Sequence, residues 1–452
     1  MVSTACRWFA PILALTLLGG CASFDPHNLV GRHLAPVSST GVENGATLAA
    51  TTRRAAVNAV WSAINERYYR ADLNGVNWLA ARTYWEPLAL AAATDDEFWE
   101  RVDLMVAELS DAHTRVESPR QVTRRKTQQS LLLGIGLREI AGEIVVTSVH
   151  PESDAYWAGV RAGMLLHKIG TRDANGQWNE WLTDARKTSS PQAASRSPMR
   201  KLNVAALAAA ESLPPQPLGL TFVRADGSQL YAKLKPVSVS TRPVLTQRVL
   251  PSGVGYVRIS AFSESLRGAL LDAVTSLHHS PALILDLRGN GGGSAAMAEA
   301  LIGSFVKTKT IIARAETRTG SAVTIGFGVI NVIELERTVP GRPDAYAGKV
   351  AVLIDRYSGS ASEGTAAVLQ EMGRAAVVGE VSCGCLLMYL GYTALPGGGE
   401  LAFSEVGFTT VKGKRIEGIG VIPDIVVTPT RADIGSQRDR ALEAAEAALL
   451  AK

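Results

Sequence analysis

The chain has 452 residues, of which 46% are hydrophobic and 19% charged, as expected for a globular protein of two or three domains and not for a disordered one. Its formal net charge is +4, and no block of basic residues occurs. This weak charge excludes the electrostatic signature of a nucleic-acid-binding protein.

The first residues are predicted to form a lipoprotein signal, residues 1–20, followed by a tether, residues 21–45. Arg7 precedes the apolar run Trp8–Leu18, which is too short for a membrane-spanning helix. The next residues, Leu18-Gly19-Gly20-Cys21, resemble the lipobox of bacterial lipoproteins. The resemblance implies cleavage before Cys21, lipidation of Cys21 and, because Ala22 follows, a lipid-anchored location in the cell envelope, at the periplasmic face of the outer membrane. The alternative is a simple secretory signal with a chance cysteine.

Residues 46–125 are predicted to form a small helical region. Apolar residues recur there at helical spacing, first from Ala55 to Ile64 and then from Phe98 to Leu109. The region includes the sequence Glu108-Leu-Ser-Asp-Ala-His113-Thr-Arg.

Residues 126–240 change to a β-rich pattern. Glycines at Gly134 and Gly136 lead into the predicted strand Glu143–Val149, and residues 218–237 are predicted to form a closing hairpin. This order resembles a PDZ domain, with a surface insertion at 187–198. The resemblance implies that Gly134, Ile135, Gly136 and Leu137 form a loop that binds a peptide carboxylate. The alternative is another small β-rich domain.

Residues 241–430 alternate strands and helices, and residues 431–452 are predicted to form a C-terminal helix. Two apolar runs each end at an acid and then break into small residues, LILDLRGNGGGS at 283–294 and VLIDRYSGSASEG at 352–364. They predict buried parallel strands that leave a sheet through tight turns. A serine on such a turn, before a helix, has an exposed hydroxyl near the positive helix end.

Five ordered motifs in residues 253–428 resemble the carboxy-terminal processing (tail-specific) peptidases and the tricorn protease core. They begin at Gly255, Asp286, Ser358, Gly373 and Ile416. The resemblance implies an α/β fold with a ClpP/crotonase-like catalytic core, beside the helical region and the PDZ-like domain. It also implies Ser360 as nucleophile, Ala361 and Gly292 as oxyanion-hole donors, and a protein or peptide substrate.

The chain departs from this family at the general base. The catalytic lysine of the Ser–Lys members is replaced by Cys385, and a helper glutamine is replaced by Tyr389. Histidine is the obvious substitute base near neutral pH. His113 lies in a motif that resembles the histidine segment of tricorn-like relatives, and Glu417 corresponds to the glutamate of their relay. The serine that precedes the tricorn histidine is Ala112 here, so Glu417, Asp111 or a water could orient His113.

Neither a cofactor nor a metal is expected, because Cys383 and Cys385 alone cannot complete a tetrahedral zinc site. The two cysteines are interpreted as packing residues or a disulfide in preference to a reactive thiol. The prediction is therefore a lipid-anchored serine endopeptidase. A non-catalytic peptide-binding scaffold and a hydrophobic-ligand carrier remain as alternatives, since the lysine is missing.

Overall fold

The computed structural model describes residues 24–34, 47–127, 129–187, 191–212 and 214–451. The chain folds into two compact units. The first comprises residues 1–122, 311–337 and 387–414, and the second comprises residues 123–310, 338–386 and 415–452. Each unit therefore combines segments that are far apart in sequence.

A six-stranded sheet forms the core of the second unit. In order across the sheet its strands are Leu245–Val249 (β1), Gly255–Ile259 (β2), Ala282–Asp286 (β3), Lys349–Ile354 (β4), Ala376–Gly379 (β5) and Ile425–Val426 (β6). Strand β1 is antiparallel to β2, and all later pairs are parallel. All five residues of β3 are buried. The prediction of buried parallel strands is confirmed, because a strand covered on both faces needs a continuous apolar run.

Helices join these strands and close the chain. The crossover helices are Arg267–Ser276 (α1), Ala295–Gly303 (α2) and Ala361–Glu371 (α3), and a short 3-10 turn lies at Glu264–Leu266. The C-terminal segment forms two helices, Arg431–Ser436 and Arg440–Leu450, where one was predicted. The break occurs because Gln437 adopts a left-handed conformation and Asp439 caps the second helix.

A β-rich region precedes this core within the second unit. Its strands are Gln129–Leu132, Ile135–Ile140, Glu143–Val149, Leu165–Ile169, Arg172–Asp173, Leu218–Val223, Gln229–Leu234 and Val237–Ser240. Its helices are Asp154–Trp157, Ala174–Arg186, Pro191–Ala194 and Ser197–Glu211, and Pro119–Thr127 leads into it. The predicted closing hairpin is confirmed by the antiparallel pairing of residues 218–223 with 229–234. The segment after the predicted insertion contributes Leu202 and Ala206 to the core.

The first unit is built around three helices, Ala50–Arg67, Trp78–Leu90 and Asp95–Ala107. They pack with residues from much later in the chain, such as Leu401 and Phe403. Its remaining elements are a 3-10 turn, Leu73–Gly75, and the strands Arg115–Glu117, Val323–Ile325, Ile330–Ile333, Leu387–Met388, Thr393–Ala394, Glu400–Ala402 and Val406–Thr410. The strands Thr310–Thr317 and Glu336–Val339 cross the sequence boundaries between the units. The predicted helical region is confirmed, but its core is completed by strands.

Residues 24–34 are folded against the first unit, although the sequence predicted a tether there. The helix Leu29–Leu34 begins with the buried Leu29, and the Arg32 guanidinium pairs with the buried Glu405 carboxylate. Burial favours the neutral form of Glu405, but hydrogen bonds from His27 and Arg32 hold the pKa of Glu405 below its usual range. Apolar burial and this ion pair therefore fix a segment whose composition alone resembles a linker. Among the described residues, no helix has the length and apolar character required to span a membrane.

Candidate active site

Ser360 lies in the turn between β4 and α3, with φ 54° and ψ −125°. Non-glycine residues rarely adopt this conformation, which costs on the order of 1–3 kcal/mol. The Ser360 N–H donates to the Cys385 carbonyl at 2.9 Å and to Glu363 Oε1 at 3.0 Å. The predicted tight strand-to-helix turn is confirmed, and these two acceptors hold the strained backbone in place.

The glycine turn after β3 lies directly against Ser360. A Cβ atom on Gly292, whose φ is 99°, would be 2.6 Å from Ser360 Cβ and 2.7 Å from the Gly359 carbonyl oxygen. Only glycine is compatible with that approach. The buried Asn290 fixes the turn, because its side-chain amide donates to the Ile259 carbonyl at 3.1 Å and its Oδ1 accepts the Gly292 N–H at 2.9 Å.

The two predicted oxyanion donors, Ala361 and Gly292, differ in whether their N–H groups already donate a hydrogen bond. Ala361 is the first residue of α3, and its N–H donates no hydrogen bond within the part of the chain that is described. It is therefore one of the free donors of a helix N-terminus. The Gly292 N–H already donates to Asn290. To bind an oxyanion, Gly292 would have to share or exchange that acceptor.

The two flanking serines have different environments. Ser358 Oγ donates to the Leu287 carbonyl at 2.8 Å and accepts the Asp355 N–H at 3.0 Å, so it links the ends of β3 and β4. Ser362 Oγ, by contrast, is buried with no hydrogen-bond partner among the described residues.

The segment 383–385, where the family lysine is missing, contacts the serine turn. Cys383 and Cys385 form a disulfide, with Cα atoms 5.3 Å apart, as one of the two predicted alternatives. The Cys383 N–H donates to the Ser358 carbonyl at 2.8 Å. Cys385 Sγ would lie 3.1 Å from a Cβ atom on Gly359, so the disulfide packs against the turn that carries Ser360.

Glu363 connects this segment to α3, a role that sequence reasoning did not assign. Besides the Ser360 N–H, its carboxylate accepts the Ser382 hydroxyl at 2.5 Å and the N–H groups of Gly384 at 2.9 Å and Cys385 at 2.7 Å. Burial raises the pKa of Glu363, and these hydrogen bonds only partly oppose the shift. The only available signal was its position directly after the serine triplet.

Arg196 is a second residue that sequence reasoning missed. It comes from the predicted surface insertion, and its Nη2 donates to the Arg356 carbonyl at 3.2 Å and approaches Cys385 Sγ at 3.7 Å. Burial lowers the pKa of Arg196, while Glu363 is the largest opposing charge. Local composition, rich in Ser, Pro and Ala, gave no indication of this contact.

His113 belongs to the first unit, in a turn that Asp111 stabilises. The buried Asp111 carboxylate accepts the His113 N–H at 2.7 Å, the Thr114 hydroxyl at 2.5 Å and the Tyr68 hydroxyl at 3.2 Å. The His113 ring centroid lies 6.5 Å from that of Tyr389, the residue at the helper-glutamine position. Asp111 therefore orients the backbone of His113.

Glu417 belongs to the second unit, as do Ser360, Ala361 and Gly292. Its Oε2 accepts the Leu386 N–H at 2.6 Å, and the following Gly418 N–H donates to the Gly384 carbonyl at 2.8 Å. Glu417 is therefore held directly beside the disulfide segment that contacts the serine turn.

The predicted peptide-binding residues are in the β-rich region of the second unit. Ile135, Gly136 and Leu137 begin the strand 135–140, which is the terminal strand in the order of its sheet. Gly134 has φ 71°, and a Cβ atom there would be 2.4 Å from Ser153 Cβ. Cys21 lies outside the described residues, within which no group of three or more potential metal ligands occurs.

The strand–turn–helix serine, the adjacent glycine turn and the parallel sheet together define a serine hydrolase core. Residues 253–427 match the model of peptidase family S41, and residues 50–107 match the tricorn protease C1 domain. The chain is 27% identical over 388 residues to the chloroplastic C-terminal processing peptidase of Tetradesmus obliquus, covering 82% of this chain and 76% of that one. It is 26% identical over 399 residues to a carboxyl-terminal-processing protease of a Picosynechococcus species, covering 85% and 86%.

Solved structures show the same fold. The photosystem II D1 C-terminal processing protease matches with a TM-score of 0.53 at 21% identity, covering 85% of this chain and 98% of that chain. Mature CPAF complexed with lactacystin matches with a TM-score of 0.62 at 14% identity, covering 86% and 96%. The chain contains a peptidase family S41 domain at residues 253–427, and it resembles carboxyl-terminal processing proteases over 82–85% of its length. It is therefore a serine peptidase with an α/β core and an additional β-rich region, which confirms the predicted family, fold class and enzyme class.

Proposed function

We propose that this protein is a secreted, lipid-anchored endopeptidase of the cell envelope that cleaves protein C-terminal tails or unfolded proteins through a Ser360 acyl-enzyme. The observation that carries the proposal is the strained Ser360 turn, placed between the Gly292 backbone and the free Ala361 N–H. Such strain is maintained where a serine hydroxyl must be presented to a substrate. The names of the relatives supply the class of substrate.

In the proposed mechanism His113 accepts the proton of Ser360 Oγ as that oxygen attacks the peptide carbonyl. The Ala361 N–H, and Gly292 when it exchanges its Asn290 acceptor, stabilise the tetrahedral oxyanion. His113 then protonates the leaving amine, and a water hydrolyses the ester to regenerate Ser360. In this mechanism Glu417 orients the His113 ring, as the resemblance to tricorn-like relatives implies, while Asp111 accepts the His113 backbone N–H at 2.7 Å.

The PDZ-like interpretation supplies the route by which substrate is held. The strand 135–140 pairs on one side with residues 143–149 and ends its sheet, so its other edge is available for addition of an extended peptide. The predicted carboxylate-binding loop is in the structure the start of this strand, so in the proposal the backbone N–H groups around Gly134 would hold the terminal carboxylate. This arrangement selects chain ends and unfolded segments, because only they can add as strands.

The activity is tested with a fluorophosphonate probe at neutral pH, which needs no knowledge of the substrate. We expect labelling at Ser360 that disappears in Ser360→Ala and His113→Ala and persists in His279→Ala, an exposed histidine used as the control. Labelling that survives His113→Ala would overturn the proposed base. No labelling of the folded protein would instead favour the peptide-binding scaffold.

The anchor is tested separately by intact mass and membrane fractionation. We expect the mature chain to begin at an acylated Cys21, and the Cys21→Ala protein to leave the membrane fraction while its Ser360 still reacts with the probe. An unmodified N-terminus would overturn the anchor without affecting the proposed chemistry.

A further inference from the structure

The first unit carries an exposed apolar hairpin that its peptidase chemistry does not use. Strands 323–325 and 330–333 pair around the turn 326–329. At this end of the hairpin the exposed fractions are 67% for Phe327, 84% for Val329 and 55% for Ile330. Residues 319–333 contain no Asp, Glu, Lys, Arg or His. A cluster of exposed apolar side chains without charge marks a surface that contacts something other than water.

The base of this hairpin is fixed in the unit. Val323 and Ile333 are buried in a hydrophobic cluster with Leu29, Val406 and Ala315. The apolar tip is therefore held by a hairpin whose base is packed into the unit.

The N-terminal end of the described chain is attached to the same tip. The Phe24 ring packs edge-on against the Phe327 ring, with centroids 5.6 Å apart and an interplanar angle of 76°. The Gly326 N–H donates to the Phe24 carbonyl at 2.8 Å. Phe24 is itself 43% exposed, so it extends the apolar surface of the tip.

The sequence between Phe24 and the proposed lipid is very short. Cys21 is three residues before Phe24. Three fully extended residues span at most about 11 Å. Acyl chains on Cys21 would therefore bring the leaflet that holds them to within that distance of Phe24 and the hairpin tip.

We propose that Phe24, Phe327, Val329 and Ile330 form a membrane-docking surface that inserts at the boundary between headgroups and acyl chains, next to the lipidated Cys21. This inference rests on the proposed lipidation. Apolar side chains at that depth add to the affinity of the anchor and restrict the orientation of the first unit on the leaflet. A second copy of the chain is a weaker candidate, because a stable interface buries about 800 Å² on each partner, far more than these few side chains supply.

The test uses the lipidated protein in vesicles of phosphatidylethanolamine and phosphatidylglycerol. Val329→Cys is labelled with the environment-sensitive fluorophore NBD under oxidising conditions, which keep the Cys383–Cys385 disulfide closed. Leu79→Cys is the matched control, since Leu79 is also apolar and 66% exposed in the same unit. We expect the label at 329 to shift to the blue and to be quenched about twofold or more by lipids with a spin label near the headgroup, because the tip lies at that depth. The label at 79 should do neither.

The outcomes separate this proposal from the anchor. Intact mass first establishes the acylation of Cys21, and an unmodified Cys21 would overturn both. Acylated protein in which neither label is quenched would leave the anchor standing and overturn the docking surface. A blue shift at 329 that depends on protein concentration, without quenching by lipid, would overturn it in favour of a second copy. Fluorophosphonate labelling of Ser360 in each variant shows that the chain remains folded.

Discussion

Two buried carboxylates stabilise the two turns beside Ser360, and they differ in their partners. Asp286, at the end of β3, accepts hydrogen bonds from Tyr256 at 2.6 Å, from Arg258 at 3.2 Å and from Arg288 at 2.6 Å. Glu363, in the first turn of α3, accepts from three backbone N–H groups and one hydroxyl. One carboxylate is therefore balanced by cations, and the other by neutral donors.

The difference appears in the pKa of each group. Burial opposes ionisation of Asp286, but its hydrogen bonds with Arg288 and the charges of Arg288 and Arg258 lower its pKa. Burial raises the pKa of Glu363, because neutral donors do not fully replace water. Arg288 also pairs with Asp439 at 2.8 Å. The glycine turn after β3 is therefore stabilised by a network of ion pairs, whereas the serine turn before α3 is stabilised by hydrogen bonds from neutral donors. This contrast predicts that the two turns respond differently to mutation and to pH.

The largest effect is expected for Asp286→Asn. The substitution leaves Arg288 and Arg258 beside a neutral amide, and removal of one partner from a buried ion pair costs roughly 3–5 kcal/mol. The free energy of unfolding measured in urea should fall by that amount. Asp272→Asn, on the exposed face of α1, is the control and should change stability by less than about 0.5 kcal/mol. Similar values for both variants would contradict the role assigned to the ion network.

Glu363→Gln should have the next largest effect on stability and a larger effect on chemistry. An amide cannot accept four donors, so at least one buried N–H or hydroxyl loses its partner, at a cost of about 1–3 kcal/mol. Displacement of the Ser360 turn should lower the rate of fluorophosphonate labelling by roughly tenfold to a hundredfold. An unchanged labelling rate in this variant would show that Glu363 does not position Ser360.

The pH dependence of the two substitutions should have opposite signs. Asp286 has a lowered pKa, so its contribution to stability is present above its ordinary value of 3.8 and is lost as pH falls through the lower folded value. Glu363 has a raised pKa, so its contribution is present below 4.5 and declines as pH rises through the higher folded value. In urea unfolding at several pH values, the deficit of Asp286→Asn should shrink toward acid and that of Glu363→Gln should shrink toward neutral pH. If the stability deficits of the two variants changed with pH in the same direction, the proposed difference between the two carboxylates would be contradicted.

The smallest effect is expected from opening the disulfide. Replacing Cys383 and Cys385 by alanine removes a very short loop closure, worth about 1–2 kcal/mol. The segment keeps its hydrogen bonds to Glu363 and Ser358, so we expect labelling at Ser360 to slow only a few-fold, by less than in Glu363→Gln. Treatment of the unaltered protein with a phosphine reductant should reproduce the effect, and the double variant should not respond to it. If the reductant also slowed labelling of the double variant, it would be acting on a group other than this disulfide.

Much of the core was predictable from local sequence. The apolar runs that became β3 and β4 and the glycines and serines of the turns are local signals, because strand burial and tight turns require particular residues at particular spacings. A helix directly after the serine turn was also predicted, and α3 begins there at Ala361. The division of the C-terminal segment at Gln437 was missed, since nothing in its composition required a left-handed residue there.

The residues that hold the site were harder to predict. Glu363 was visible only as the residue after the serine triplet, and Arg196 only as part of an insertion. Their partners, such as Ser382 and Cys385, come from other segments, and hydrogen-bond pairing between distant segments leaves no periodic trace in the sequence. The packing of Phe24 on Phe327 and the burial of Leu29 were missed for the same reason, because isolated apolar residues do not reveal the surface that they contact.

The sequence by itself determined the resemblance to the processing peptidases, the alternation of strands and helices along the core, and the presence of Ser360 on a tight turn of small residues. Those features depend on neighbouring residues in the chain, whose conformational limits and burial pattern are local. Only the tertiary structure decided that Glu363 and a disulfide support the serine turn, that Arg288 joins Asp286 to Asp439, and that Phe24 packs on Phe327. These are complementary contacts between distant segments, and they exist only once folding has brought those segments together.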